Sequence, residues 1–531
     1  MLRHCTAMTR PFLGSPPLLQ TLTPRLRPAA LSSLLAIAAA GFACSSSDTL
    51  PGGGGSAGQT PASGGAPATA GSPAGGAGPS SAGMNANGGM IAAAGSGSGT
   101  AGSAPTAGAA PTAGTGSGGT GTAGGSGSAG GASVAGSSGG PSGGAGTGAG
   151  GGGATHWVGT WTASPYATAA EGVPPIGLAN SVLRQITHAS LGGNQIRVQF
   201  SNKEGAQALT IKSAHVALCK ATPLVNGSID LTTDKALAFS GMATATIPAG
   251  MELWSDPVDF ALPALGNLTI TTAFGSVPTA LTSHNGSRTT SFIQANSTDV
   301  SAANLTAGAV THWYFISGVD VMAPAGAKGI VAIGDSITDG RGVDVDANNR
   351  WTDVLAKRLH DNPATANVSI MNQGIGATKL VGAETTTAEN RFARDVLGQS
   401  GVKYVIIYDG VNDINENASS ATIKAGYDKL IKAAHDKSLL VYGGTITPFG
   451  GNSFWTDPHE KVRQEVNTYI KSGVFDGVID FDAAVTDGKT GTNAPSLQAA
   501  YAEGPLKDWL HPGPAGYKKM GEAADLLLFT K

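Results

Sequence analysis

Two folded parts are expected of this chain: an all-β, sandwich-like domain over residues 155–324 and an α/β domain over 325–531 built on a doubly wound, five-stranded parallel sheet. Three observations predict them. Period-two alternation dominates the first part, as where Ile196, Val198 and Phe200 are separated by Arg197 and Gln199. In the second part short apolar runs alternate with helix-length amphipathic segments. Ahead of both, residues 45–154 are almost wholly Gly, Ala, Ser, Thr and Pro, and half of the chain's 80 glycines fall between Leu50 and Ala154, so the foldable length is far shorter than the chain.

Taken from the N-terminus, residues 1–44 read as an export signal. Arg3, Arg10, Arg25 and Arg27 precede a compact apolar stretch, LLAIAAAGFA, which is too short to span a bilayer and ends at Cys44. Ala43 before Cys44, followed by SSSD and a long tether, resembles a bacterial lipoprotein signal, in which Cys44 becomes the lipidated N-terminus. Gly41 and Phe42 depart from that pattern, and ordinary cleavage after Ala43 is the alternative. Either way the chain is expected outside the cytoplasm, as a cell-surface lipoprotein or a secreted or periplasmic protein. The 45–154 segment is expected to be a disordered tether, because it lacks the apolar surface that offsets the entropy of ordering a chain.

Net charge is -3 and no basic run stands out, which excludes a nucleic-acid surface; membrane contact is expected only through lipid on Cys44. Cys5, Cys44 and Cys219 are the only cysteines, so no disulfide framework fits within the folded part. Cys219 closes the alternating run LTIKSAHVALC and is expected to be a small buried hydrophobe.

The β-part is expected to use half-buried antiparallel strands at SVLRQITHA, around Ile196 to Phe200, at Leu209 and Ile211, at LTITTAF and at THWYFISGV. In the α/β part, GIVAIG, VSIMN, YVIIYDG, LLVYGGT and GVIDFD are the strands. Helices are expected at WTDVLAKRLH, TIKAGYDKLIKAAHDK, PHEKVRQEVNTYIKSG and AGYKKMGEAADLLLF, where apolar residues recur three and four apart.

Parallel sheets carry their sites at the carboxyl ends of the strands. The first strand ends at Ser336 in GDSITDG, the second at Asn372 to Thr378 (NQGIGAT), and the third at Gly410, Asn412 and Asp413; DWLHPGPAGY, with Asp508 and His511, precedes the last helix. Serine, histidine and aspartate are the parts of a nucleophilic triad, since a free hydroxyl is a weak nucleophile without a base. Asp335, Asp339 and Asp413 are expected to cap turns, and His360, His435 and His459 to lie on helix surfaces. Asp480 and Asp482 are alternatives to Asp508 as the carboxylate that orients His511. GGSAG at Gly54 to Gly58 fits a nucleophile-elbow pattern but lies in the tether, without a strand before it or a helix after it. No HExxH, paired Cys/His spacing or phosphate loop is present, so no metal or cofactor is expected.

In order, GDSITDG, NQGIGA, GVNDI and DWLHP resemble the blocks of the GDSL, or SGNH, serine esterases. WVGTWTASP with LRQITHASLGGNQIRVQFSN resembles the β-domain that precedes the hydrolase in one branch, often found among esterases acting on plant polysaccharides. The resemblance covers the chain after His156. It implies a flavodoxin-like sheet, a triad of Ser336, His511 and Asp508, and an oxyanion hole from the Ser336 backbone N–H, the Asn412 side chain and a second-block backbone N–H. Counting five residues on from Asn372 puts that last donor on Ala377, where the family has glycine, with Gly376 as the fallback donor. The expected function is an exported serine esterase acting on an ester substrate, an acetylated polysaccharide foremost. A lipase or arylesterase on longer acyl or simple esters, and a glycan-binding surface protein with a vestigial hydrolase, are the alternatives.

Overall fold

The computed structural model describes residues 154–220, 227–305, 307–490 and 493–531. The export signal, Cys44, the tether as far as residue 153 and the GGSAG match lie outside the described residues.

The β-rich region is antiparallel throughout. One sheet runs Thr155–Thr162, Ile316–Pro324, Gly193–Ser201, Glu252–Trp254, with Val258–Leu262 also on Gly193–Ser201. A second, larger sheet is centred on Ser291–Gln294, Val182–His188, Asn267–Phe274 and Leu209–Leu218. Alternation does what it predicts here: Ile196, Val198 and Phe200 from the first sheet share a core with Leu209, Ile211 and Ile270 from the second. A small third sheet pairs Tyr166–Ala167, Thr282–His284 and Trp313–Tyr314.

Two expectations in this region need correction. Val182–His188 and Asn267–Phe274 are buried on both faces rather than one. On the side away from the sandwich, Val182, Ile186 and Ala273 pack under Phe292, Val300 and Leu305, and Arg184 is buried because its guanidinium donates to the carbonyls of Gly227 and Ala302. Cys219 is half-buried, not buried: its strand stops at Leu218, and Cys219 continues it as an isolated bridge with Ile229.

The second region holds a parallel sheet whose strands, in chain order, are β1 (Lys328–Gly334), β2 (Val368–Gly374), β3 (Val402–Tyr408), β4 (Leu440–Gly444) and β5 (Gly477–Ile479). They lie side by side as β2-β1-β3-β4-β5, the flavodoxin-like order. Being covered on both faces, β1 and β3 read as continuous apolar runs. The three central helices form as expected at Trp351–Asp361, Ser420–His435 and Asp457–Tyr469. The last predicted helix is broken: Pro514–Ala523 is α-helical, Ala524 turns to extended backbone, and Leu526–Phe529 is a 3-10 turn capped by Asp525.

Edge strand β2 would expose unpaired backbone, and the β-rich region covers it. Ser369 donates its hydroxyl to the Gly159 carbonyl (2.7 Å), Ser190 Oγ accepts the Ile370 N–H (3.0 Å), and Thr162 donates to the Asn372 carbonyl (3.2 Å). These bonds sit on the strand whose end carries NQGIGA.

Candidate active site

β1 leaves the sheet at Gly334, where a Cβ would lie 2.1 Å from the Tyr408 carbonyl oxygen, so only glycine lets the chain turn this closely over β3. Asp335 then caps a one-turn helix, Ser336–Asp339, by accepting the Ile337 N–H at 2.8 Å. That turn presents Ser336, whose Oγ lies 2.8 Å from His511 Nε2. On the far side of the ring, His511 Nδ1 lies 2.7 Å from Asp508 Oδ2.

The loop holding Asp508 and His511 is self-bracing. Asp508 Oδ1 accepts the backbone N–H groups of Leu510 (3.0 Å) and His511 (2.9 Å), and Asn452, from the loop after β4, donates its side-chain amide to the Asp508 carbonyl at 2.7 Å. Burial pushes the Asp508 carboxyl up, but the bond and charge of His511 with the two backbone N–H groups outweigh it and hold it at about 2. An ionised Asp508 accepts a hydrogen bond from the Nδ1–H group, which leaves Nε2 as the acceptor for the Ser336 hydroxyl. Burial lowers His511 below the ordinary histidine value; Asp508 opposes this, and the charges of Arg341 and Arg288 add to it. Asp480 and Asp482 do not reach His511: the first bonds Thr445 and Lys471, the second Arg463 and Asn467.

Asn412 sits in the short helix Val411–Asn415 beyond the end of β3. One hydrogen of its side-chain amide goes to the Thr378 carbonyl (2.7 Å), which leaves the other available. Ala377 adopts φ +60, left-handed backbone that costs an alanine about 1 kcal/mol or more. The backbone N–H groups of Ser336, Gly376 and Ala377 meet no protein acceptor among the described residues. An arrangement of this kind can activate a hydroxyl, attack a carbonyl and offer donors to the oxyanion that forms.

Sequence reasoning missed two supports. Asp413, expected as a turn residue, instead reaches across to the second block and accepts the N–H groups of Leu380 (2.8 Å) and Val381 (3.1 Å), pinning the loop that carries Gly376 and Ala377. Asp339 is no cap either. Its Oδ1 accepts from His284 Nε2 at 2.8 Å, both side chains being buried, while His284 Nδ1 donates to the Ser164 carbonyl at 2.9 Å. Burial would raise Asp339, yet His284, Arg288 and Arg350 hold it low. No local signal could have found either contact, since His284 lies 55 residues before its partner. Of the helix histidines, His360 and His435 are exposed and His459 is half-buried, with Nδ1 against the Phe454 carbonyl.

The sheet is of the parallel α/β class, and Ser336, His511 and Asp508 lie in one hydrogen-bonded line. Residues 332–519 match the model of the GDSL-like lipase/acylhydrolase family. This part of the chain is a carboxylic ester hydrolase domain. Among solved structures, the chain is similar to a member of the lipolytic protein G-D-S-L family from Veillonella parvula (21% identity, covering 39% of this chain and 100% of that one, TM-score 0.28). It is also similar to a GDSL-like lipase from Bacteroides thetaiotaomicron (20%, 38% and 88%, TM-score 0.28). A third is an acetylxylan esterase from Geobacillus stearothermophilus (17%, 37% and 91%, TM-score 0.28). Likeness at this level assigns neither a substrate nor a residue's role. No curated protein matches the chain.

Proposed function

We propose that this protein is an exported serine esterase that removes short acyl groups, acetyl first among them, from carbohydrate. The observation that carries the serine mechanism is the unbroken line from Ser336 Oγ through His511 to Asp508, 2.8 and 2.7 Å long. In this reading His511 takes the hydroxyl proton as Ser336 attacks the ester carbonyl, and Asp508 stabilises the imidazolium. The oxyanion is held by the N–H of Ser336, that of Ala377 or Gly376, and the Asn412 amide. Collapse expels the alcohol, which takes its proton from His511; water then attacks the acyl-serine by the same route in reverse.

The carbohydrate and acetyl assignments rest on the likeness of WVGTWTASP and its companion block to polysaccharide esterases, and export rests on the apolar stretch before Cys44. The full chain, assayed on para-nitrophenyl esters of rising acyl length beside acetylated xylan, tests the reading. Acetate release from the polymer and a steep fall beyond short acyl groups are expected. Rising activity with chain length would move the assignment to a lipase. Mass spectrometry of the mature N-terminus tests Cys44: acyl mass on that residue supports a lipid anchor, and an unmodified terminus excludes it.

A further inference from the structure

Nine arginines lie among the described residues, and seven of them donate side-chain hydrogen bonds to protein acceptors. The remaining two are Arg288 and Arg341. Each has a buried Nε with no hydrogen-bond partner, and they are the two arginines whose charges act on His511. A guanidinium presents five N–H donors in a planar fork suited to a carboxylate, and both of these keep donors without a hydrogen-bond acceptor among the described residues.

Their backbones fix them there. The Arg341 N–H donates to the Ser336 carbonyl (2.9 Å), and Tyr517 donates its hydroxyl to the Arg341 carbonyl (2.6 Å). The next residue, Gly342, is backed against the triad loop: a Cβ there would lie 2.7 Å from the Pro512 carbonyl oxygen and 3.5 Å from His511 Cβ. Arg288 comes from the β-rich region, and its carbonyl accepts the Asp346 N–H (2.9 Å), which joins it to the loop that continues from Arg341. Carboxylates nearby are committed elsewhere. Asp346 is bonded to the Thr290 N–H and hydroxyl at 2.7 Å each, and Asp339 is bonded to His284, with Arg288 Nη2 no closer than 3.8 Å to its Oδ2.

We propose that Arg288 and Arg341 form a carboxylate-recognition site beside His511, and that the preferred substrate is an ester whose alcohol part carries a carboxylate, as an O-acylated sugar acid does. The proposal rests on the serine-esterase reading above. The charge belongs on the alcohol side because His511 is the group that faces the departing oxygen, whereas the acyl carbonyl faces the donors at Ala377 and Asn412. It also answers a cost of the arrangement: two cations beside the base oppose the imidazolium that forms in the transition state, and a substrate carboxylate between them relieves that repulsion.

The test compares kcat/KM of the full chain on para-acetoxybenzoate and on its neutral counterpart, para-acetoxybenzamide, each corrected for its uncatalysed rate. A preference of about tenfold for the anionic ester is expected, the scale of one charge-assisted hydrogen bond at a partly exposed site. The preference should shrink with added salt, shrink toward parity in Arg288→Met and Arg341→Met, and be partly kept in Arg341→Lys. Should a variant fail to fold, inhibition of the natural protein by para-hydroxybenzoate against para-hydroxybenzamide gives the same comparison. Parity in the natural protein, or a preference unmoved by both substitutions, overturns the carboxylate site while hydrolysis of the amide-bearing ester keeps the esterase reading. Stronger preference for para-acetoxyphenyl phosphate would replace the carboxylate by a phosphate. Hydrolysis of neither ester above the level of Ser336→Ala would sink the esterase reading itself.

Discussion

Replacing Asp508 by asparagine changes one atom of the triad and keeps the loop that presents it. The side-chain oxygen of the new amide can still accept the Leu510 and His511 N–H groups that Asp508 Oδ1 accepts at 3.0 and 2.9 Å, so the turn should survive. The amide nitrogen then faces His511 Nδ1, now 2.7 Å from a carboxylate oxygen. Nδ1 must become the acceptor and the ring proton moves to Nε2, toward Ser336 Oγ, where it blocks proton removal. A loss of about ten-thousandfold in kcat is expected, roughly 5.5 kcal/mol of transition-state stabilisation. Stability changes less. Asp508 is held at about 2 against its usual 3.8, which would be worth about 2.5 kcal/mol at full strength; with 32% of the side chain exposed, solvent screening leaves about 1 to 2 kcal/mol. That contribution is complete above the unfolded carboxylate value and is lost as pH falls toward 2. Turnover of para-nitrophenyl acetate against pH reads the kinetics, and urea midpoints read the stability. In the natural protein kcat/KM should rise with pH through a value below the ordinary 6.5 of histidine, because the base must be neutral and burial disfavours its charged form. In Asp508→Asn the group that opposes this lowering is gone and the rise should move lower still. Activity within about tenfold of the natural protein would refute the tautomer reasoning.

Asn412→Ala should lower kcat about a hundred- to thousandfold with little change in KM, since the amide meets charge that develops only in the transition state; an equal effect on KM would remove Asn412 from the oxyanion hole. Ala377→Gly should keep most activity and raise stability by about 0.5 kcal/mol, relief of the left-handed backbone at φ +60 outweighing the added chain entropy. A large gain in turnover would show instead that the alanine holds its N–H off target. His284→Ala strands Asp339 as a buried carboxylate one turn from the nucleophile and should cost about 3 kcal/mol in urea unfolding; adding Asp339→Asn should recover much of it, and an unchanged midpoint for the single variant would show that the pair does not tie the two regions together.

What the sequence disclosed and what it hid differ in range. Ser336, Asn412, Asp508 and His511 are legible because each sits at a strand end or in a tight loop whose short motif sets its own geometry, as the Asp508 turn shows by bonding within itself. The parallel strands are legible because full burial writes continuous apolar runs. Partners brought together by the fold leave no such trace. Asp413 looks like a turn residue until the second block lies against it, and Asp339 looks like a cap until His284 arrives from another sheet. The doubly buried strand Val182–His188 misleads for a related reason: Arg184 reads as a solvent-facing position, and hydrogen bonds to the Thr271 hydroxyl and the carbonyls of Gly227 and Ala302 make its burial tolerable. Helix periodicity likewise carries through Ala524, where the backbone turns extended.

The central claim is that Ser336 is the nucleophile, and covalent capture tests it most directly. The full chain and Ser336→Ala are incubated with a fluorophosphonate, digested and analysed by mass spectrometry, while hydrolysis of para-nitrophenyl acetate is followed in parallel. The account predicts an adduct on the peptide containing Ser336, activity lost in step with labelling, and neither label nor turnover in Ser336→Ala with the fold retained. Turnover that persists in Ser336→Ala, or an adduct on a different serine, would contradict it.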